Sequence, residues 1–301
     1  MKKALRFSVI VCVVSWIFAA IMYWGGGIHN TTDNPMAYSL FATAYMFFPL
    51  ICDIAIHLIN KEKLGGTGLL KFKIRWSWLI AWLLPVVIVA ATIIVNSLFD
   101  GCELKFHMPK IPGMENLSPE DMAKISAMQN PKVVIITTLV SGLFAGITIN
   151  AIAAFGEEYG WRNYLVNALR GKNFWLACLF IGILWGIWHF PIILMGHNYP
   201  EHNVAGIFMM IAMCLVMTPI ELYLVLKAKS VYPAAIFHGT INALAGATML
   251  FISGGSDLIN GLAGLAGIIT MAIIVLIFFV YDKFVSEENI MSKRIEETLT
   301  D

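Results

Sequence analysis

Charged side chains are scarce in this chain. They make up 13% of its 301 residues, and 59% are apolar; a soluble domain carries about 25% charged and 45–50% apolar residues. That shortage excludes an ordinary soluble fold. A net charge of +1, with an acidic C-terminal tail (Glu287, Glu288, Glu296, Glu297), excludes a nucleic-acid partner. Cysteine is present but not organised. Cys12, Cys52, Cys178 and Cys214 lie inside apolar runs, Cys102 lies in a loop, and no C-x-x-C occurs. Neither a disulfide framework nor a cysteine metal site is indicated. The familiar soluble-enzyme signatures are also missing: no H-E-x-x-H, Walker loop, G-x-S-x-G or dinucleotide fingerprint. There is no internal repeat, which weighs against a transporter built from duplicated halves.

What the chain has instead is long apolar runs. A span needs roughly 20 apolar residues, and eight stretches qualify, near 7–24, 36–59, 76–98, 132–155, 174–195, 204–226, 231–252 and 258–281. The first follows Met-Lys-Lys like a signal peptide, but with a weak cleavage pattern it reads as an uncleaved span. Lys and Arg alternate between the short connections. They occur at the N-terminus, at 60–75, at 162–172, at 227–229 and in the tail, and are missing at 25–35, 196–203 and 253–257. Positive residues favour the cytoplasmic side, so both termini are expected there, in a bacterial inner membrane. The long outer segment 99–131 contains Ser118-Pro-Glu-Asp, the opening of a short capped surface helix. The expected organisation is an N-terminal membrane segment over 1–131, a core over 132–252, and a last span with cytoplasmic tail over 253–301. The expected fold class is all-α, polytopic, with about eight transmembrane helices.

Ionisable groups inside spans are costly and mark function by default. Three clusters stand out. At the cytoplasmic end of the fourth span lies Glu157-Glu158-Tyr159-Gly160-Trp161-Arg162. Glu158 and Arg162, four apart on a helix, can pair, leaving Glu157 desolvated beside a like charge, as a general base requires; an interfacial charge cluster ending the span is the plainer alternative. In the fifth span, Trp185-Gly-Ile-Trp188-His189-Phe-Pro191 places a histidine before a helix-kinking proline. A packing histidine is its plainer reading. In the seventh, His238 and Asn242 share a helix face and could equally form an interhelical clamp. Together the clusters supply a base and oxyanion donors, the parts of a water-activating hydrolase. Asp53 with His57, and Glu221 after Pro219, read as structural or gating groups. His29, His107, His197 and His202 read as solvated loop residues, and the glycines at 261, 264 and 267 as helix-packing positions.

These residues carry a resemblance. The chain resembles the CAAX-protease and bacteriocin-processing family (CPBP, also called abortive-infection proteins or type II CAAX prenyl endopeptidases). That family is marked by E-E-x-x-x-R, then F-x-x-x-H, then H-x-x-x-N or H-x-x-x-D on separate membrane helices. The motifs read here as Glu157-Glu158-x-x-x-Arg162, Trp185-x-x-x-His189 (Trp where the pattern has Phe) and His238-x-x-x-Asn242, over about 132–250. The resemblance implies an intramembrane endopeptidase. Glu157 would activate water shared with His189, Glu158 and Arg162 would support the site, and His238 and Asn242 would hold the oxyanion. Trp185 would be an aromatic wall outside the chemistry. A zinc ion on Glu157, His189 and His238 is one option and a metal-free glutamate-dependent site the other. The expected partners are the bilayer and a membrane-associated peptide or protein, prenylated or not. A non-catalytic immunity or scaffold protein binding a peptide in the same cavity is the alternative, and a small proton-relaying transporter the third reading. One tension remains: at about 1.5 Å per residue, His189 lies nearer the outer face than a Glu157 placed at the span's inner end. Their meeting would require tilted helices around a recessed cytoplasmic cavity.

Overall fold

The structure is a computed structural model describing residues 1–61, 68–72, 74–108, 118–121, 124 and 130–300. Thirteen helical segments carry the labels used below: α1 (Lys2–Trp24), α2 (Pro35–Met46), α3 (Phe48–Asn60), α4 (Trp76–Asn96), α5 (Pro131–Ile147), α6 (Ile149–Glu158), α7 (Leu165–Ala168), α8 (Phe174–Trp188), α9 (Phe190–Leu194), α10 (Asn203–Ala228), α11 (Tyr232–Leu244), α12 (Leu265–Phe284) and α13 (Ile295–Thr300). A π-helical stretch, Tyr159–Tyr164, joins α6 to α7. Three of the starts follow one chemical rule. Asn34, Asn130 and Asn173 each accept a backbone N–H from the first turn, and at α2 and α5 a proline stands next in line; an N-cap amide and an N1 proline both suit that position.

This is an all-α, polytopic membrane protein. Among the described residues, five helical stretches are long and apolar enough to cross a bilayer: Lys2–Trp24, Pro35–Asn60, Trp76–Asn96, Asn203–Ala228 and Leu265–Phe284. A sixth is the pair Pro131–Ile147 and Ile149–Ala168, bent by 47° at Thr148. Helix also occupies the other two expected stretches, but α8 and α11 are shorter, 15 and 13 residues. Most of α11 is buried against its neighbours, Phe237 to Ile241 without interruption.

Several expected boundaries need correction. The fourth span does not end at 155 but continues through the π-helical stretch to Ala168. Its polar residues face protein rather than lipid, so the apolar run stops before the helix does. The eighth helix starts at Leu265, because 255–264 folds as a loop. There Asn260 donates to the Gly254 carbonyl and accepts from Asn96, and Gly261 takes a φ of +73°. Gly264 and Gly267 pack against the loop's own backbone at Asn260 and Leu262, so this glycine series turns the chain rather than joining helices. The close helix crossings use other glycines. A Cβ on Gly239 would lie 2.6 Å from the backbone nitrogen of Ala151, and one on Gly182 would lie 2.9 Å from the Cα of Leu215. In the 99–131 segment, Ser118 Oγ accepts the Asp121 N–H at 3.1 Å, as expected for a cap. Most of that expected helix lies outside the described residues.

The connections sort onto two faces. On one, the α13 segment is stapled to the α7–α8 turn: the Ile295 and Glu296 N–H groups donate to the Lys172 and Arg170 carbonyls, both at 3.0 Å. Phe7, near the start of α1, stacks on Tyr164 of the same region at 4.2 Å. Ser230 donates to the Lys71 carbonyl and Lys227 pairs with Glu288 of the tail at 3.0 Å, which brings residues 68–72 and 227–231 to this face. On the other face, a two-stranded antiparallel sheet pairs Cys102–Leu104 with Ile252–Gly254. Tyr199 donates to the Ala263 carbonyl at 2.6 Å, and Asp257 accepts from the Glu201 N–H at 2.7 Å and pairs with His202 at 2.6 Å. His202 is thus a loop tie and not simply solvated.

Candidate functional site

The extension of the fourth span removes the tension over depth. Counted from the shared turn, Glu157 stands about 16 Å up its helix from Ala168 and His189 about 22 Å up from Phe174, at about 1.5 Å per residue. The gap between them falls to about one helical turn, which side chains can span, and both line one cavity. The motif Glu157–Arg162 spans the passage from α-helix into the π-helical stretch; such wide turns recur where a helix must re-aim functional side chains.

Within this helix Glu157 is 2% exposed, and Glu158 and Arg162 are fully buried. Arg162 Nη1 donates to Glu158 Oε1 at 3.2 Å, the pairing expected from the spacing. Its Nη2 donates to Thr218 Oγ1 at 3.1 Å and to Glu221 Oε2. Glu221 therefore anchors the motif arginine behind the cavity, a structural role such as the sequence reading gave it, here tied to the site. The signal that could have found it was the plain cost of a carboxylate in an apolar span. On α11, His238 Nδ1 donates to the same Glu158 oxygen at 2.8 Å.

His189 stands at the break between α8 and α9, which Pro191 enforces by lacking an N–H. The Trp188 carbonyl at that break accepts from Trp16 Nε1 at 3.1 Å and from the Tyr45 hydroxyl at 2.9 Å. The kinked wall expected from the proline is thus tied by α1 and α2. His189 Nδ1 donates to the Trp185 carbonyl at 2.7 Å, which leaves Nε2 as the free lone pair.

Trp185 is more than a wall. Its indole N–H donates to Glu157 Oε2 at 2.7 Å. The Arg162 guanidinium lies over its ring at 4.1 Å from the centroid. The His238 and His189 rings lie 5.4 and 5.8 Å away. A phenylalanine could supply the ring contacts but not the hydrogen bond.

Glu157, His189, His238 and Asn242 all line one cavity of about 450 Å³. Trp188, Cys214 and Met217 line it too, as do His197 and Asn198 from the loop after α9. His197 is not a solvated loop histidine: it is partly buried against Tyr38, and burial pushes its imidazole down to about 4. Asp53 and His57 pair with each other at 2.9 Å on α3 and do not line the cavity. A second, apolar groove around Trp76, Trp78 and Trp82 contains none of the motif residues.

The three groups considered for zinc share a cavity but are not brought together as a ligand set. Among the described residues, the buried set whose ligand atoms lie within 4.8 Å of one another is Glu158, Glu221 and His238, without Glu157 or His189. The Arg162 guanidinium already occupies the carboxylates of that set. A dication there would meet a fully buried cation, so the donor set fits a fixed guanidinium better than a metal.

Comparison with known proteins points one way. Residues 138–244 match the family model described as "Type II CAAX prenyl endopeptidase Rce1-like". A curated relative named "CAAX prenyl protease 2", from Methanococcus maripaludis, is 34% identical over 97 residues. The matched stretch is 30% of this chain and 36% of that protein, so the chain matches only about a third of its length.

Proposed function

We propose that the chain, whose residues 138–244 match the model of a type II CAAX prenyl endopeptidase family, is an intramembrane endopeptidase hydrolysing a peptide bond of a membrane-associated substrate. Convergence of Glu157, His189, His238 and Asn242 on one cavity carries this reading. Trp185 holds one oxygen of Glu157 and leaves the other to take a proton from water. His189, fixed through Nδ1, offers Nε2 to the same water. The water oxygen adds to the scissile carbonyl as its proton passes to Glu157, and that proton then goes to the leaving amine.

The oxyanion formed needs donors. Asn242 supplies amide N–H groups from the cavity wall. His238, with Nδ1–H held by Glu158, presents Nε2–H in its imidazolium form. Three buried carboxylates face one guanidinium here, so a further positive charge on His238 improves the balance. Arg162 keeps Glu158 and Glu221 in place and does not touch substrate. The reaction proposed needs no metal, and the location proposed is a bacterial cytoplasmic membrane with both termini inside.

The test is hydrolysis of a fluorogenic membrane-peptide library, prenylated members included, by purified protein in detergent. Glu157→Gln and His189→Ala are expected to abolish cleavage, and Asn242→Ala to lower kcat by about 10²–10³, as loss of one oxyanion donor does. A zinc chelator is expected to leave the wild-type rate unchanged. Cleavage by Glu157→Gln at the wild-type rate would remove the assignment. A folded wild type that binds peptides without cutting any would favour a binding protein.

A further inference from the structure

His189 is the one residue between α8 and α9. Pro191 denies that break the N–H a continuous helix would use there. The direction of the imidazole therefore depends on what its neighbours are fastened to. Its Nδ1 is held by the Trp185 carbonyl, and its ring stands edge-on to the Trp188 ring at 4.9 Å.

Trp188 is itself gripped at both ends. Its indole N–H donates to Ser15 Oγ at 2.9 Å. Its carbonyl accepts Trp16 Nε1 at 3.1 Å and the Tyr45 hydroxyl at 2.9 Å, which uses both lone pairs of that oxygen. The Tyr45 ring lies against the Trp188 ring at 4.4 Å. On the far side of His189, Phe190 packs on Trp16 at 5.6 Å. Ser15 and Trp16 are successive residues of α1, about 100° apart around a helix, so one takes the side chain of Trp188 and the other its backbone. Ser15, Tyr45 and Trp188 are at most 1% exposed. Apolar side chains could fill this space, but directional bonds that are all satisfied select one arrangement of it.

We infer that Ser15, Trp16 and Tyr45 are positioning residues of the site. They hold Trp188, and through it the His189 ring, so that Nε2 is presented to the cavity in one orientation. All three precede residues 138–244, the stretch that matches the family model. Tyr45 also lines the cavity, but its hydroxyl is committed to the Trp188 carbonyl, so it holds and does not react. The consequence for rate rests on the peptidase reading, in which His189 shares the attacking water with Glu157; the grip on Trp188 does not. A catalytic group misplaced by about 1 Å can lose about 100-fold in rate, so helices that touch no reacting atom would set kcat.

The test uses full-length protein in detergent. Tyr45→Phe keeps the ring on Trp188 and removes one donor, Trp16→Phe removes the other, and Ser15→Ala removes the acceptor. Each is expected to lower kcat by about fivefold to twentyfold with KM unchanged and at most a modest fall in melting temperature, since part of the grip remains. Tyr45→Phe combined with Trp16→Phe leaves the carbonyl with neither donor and is expected to lose more than about 100-fold. A second readout needs no substrate: magnetic resonance of protein isotope-labelled at the histidine ring nitrogens, with the His189 signal identified by its loss in His189→Ala. The wild type is expected to carry the proton on Nδ1, and the double variant to show a mixture of tautomers. Wild-type kcat in the double variant, or an unchanged His189 signal there, would overturn the inference. So would a loss of activity that only follows a falling melting temperature or a rising KM, which would make the three residues scaffold. If the wild type cleaves nothing while the His189 signal changes as expected, the peptidase reading fails and the positioning of His189 stands.

Discussion

Trp185 concentrates the site's positioning in one residue. It donates to Glu157, lies under Arg162, and through its carbonyl fixes His189. A hydrogen bond to a charged group contributes about 1.5–3 kcal/mol. Trp185→Phe keeps the ring and the backbone carbonyl and removes only the N–H. It is therefore expected to lower kcat by about tenfold to a hundredfold while leaving KM close to wild type, with a modest fall in melting temperature from the unpaired Glu157 oxygen. A change confined to KM would show that the indole serves substrate fit and not Glu157. Arg162 behaves differently, because it is structural. Arg162→Ala strands Glu158 and Glu221 in the interior, and an unpaired buried charge costs about 3–5 kcal/mol. Its signature is a lower melting temperature in detergent with activity lost alongside. The motif residues were legible from the sequence because a carboxylate or imidazole in an apolar run stands out. The hydrogen bond from Trp185 was not, since a tryptophan in an apolar run looks like any other large apolar residue.

The same contrast holds for whole helices. Apolar runs located helix at all eight expected stretches, and Lys and Arg placement anticipated which connections share a face. Hydropathy failed where polar residues turn inward: it stopped the fourth span at Phe155, although Glu157, Glu158 and Arg162 are among the most enclosed side chains of the molecule. It failed again at 258–264, where apolar residues line a loop held by Asn260 and not a helix. Helix spacing is set by glycines that no hydropathy scale registers. α11 approaches α6 closely enough that a side chain at Gly239 meets the Ala151 backbone, and His238 is the adjacent residue. Overpacking at such a crossing costs about 1–3 kcal/mol. Gly239→Val is expected to push α11 outward and part His238 from Glu158. Activity should fall by more than 100-fold with a modest drop in melting temperature, and Gly239→Ala should lie between. Full activity in Gly239→Val would mean that the 2.8 Å contact between His238 and Glu158 is not needed.

At the scale of the molecule, the tail and the cavity are two ends of one arrangement. The helices bearing the motifs, α6 and α8, turn into each other at 169–173, and the chain's last segment returns across that turn. An acidic, exposed-looking tail gave no sign of this in the sequence, because its contacts are made by backbone N–H groups and by three apolar residues spaced among charged ones. Asp282 is the clasp: it is 1% exposed and spends both oxygens on tail N–H groups. Asp282→Ala removes two charge-assisted bonds, a loss of about 3 kcal/mol or more. Local opening follows where such ties are few. The tail should then lift without unfolding the bundle, exposing Cys178, one turn into α8 and 3% exposed in the intact protein. A thiol reagent supplied to purified protein is expected to modify Cys178 in Asp282→Ala at least tenfold faster than in wild type, with helix content unchanged by circular dichroism. If Cys178 stays as protected as before, the seal is made by the helix pair alone and the tail is a surface ornament. If the variant loses helix as well, the tail holds the fold together and does not merely close one end of it.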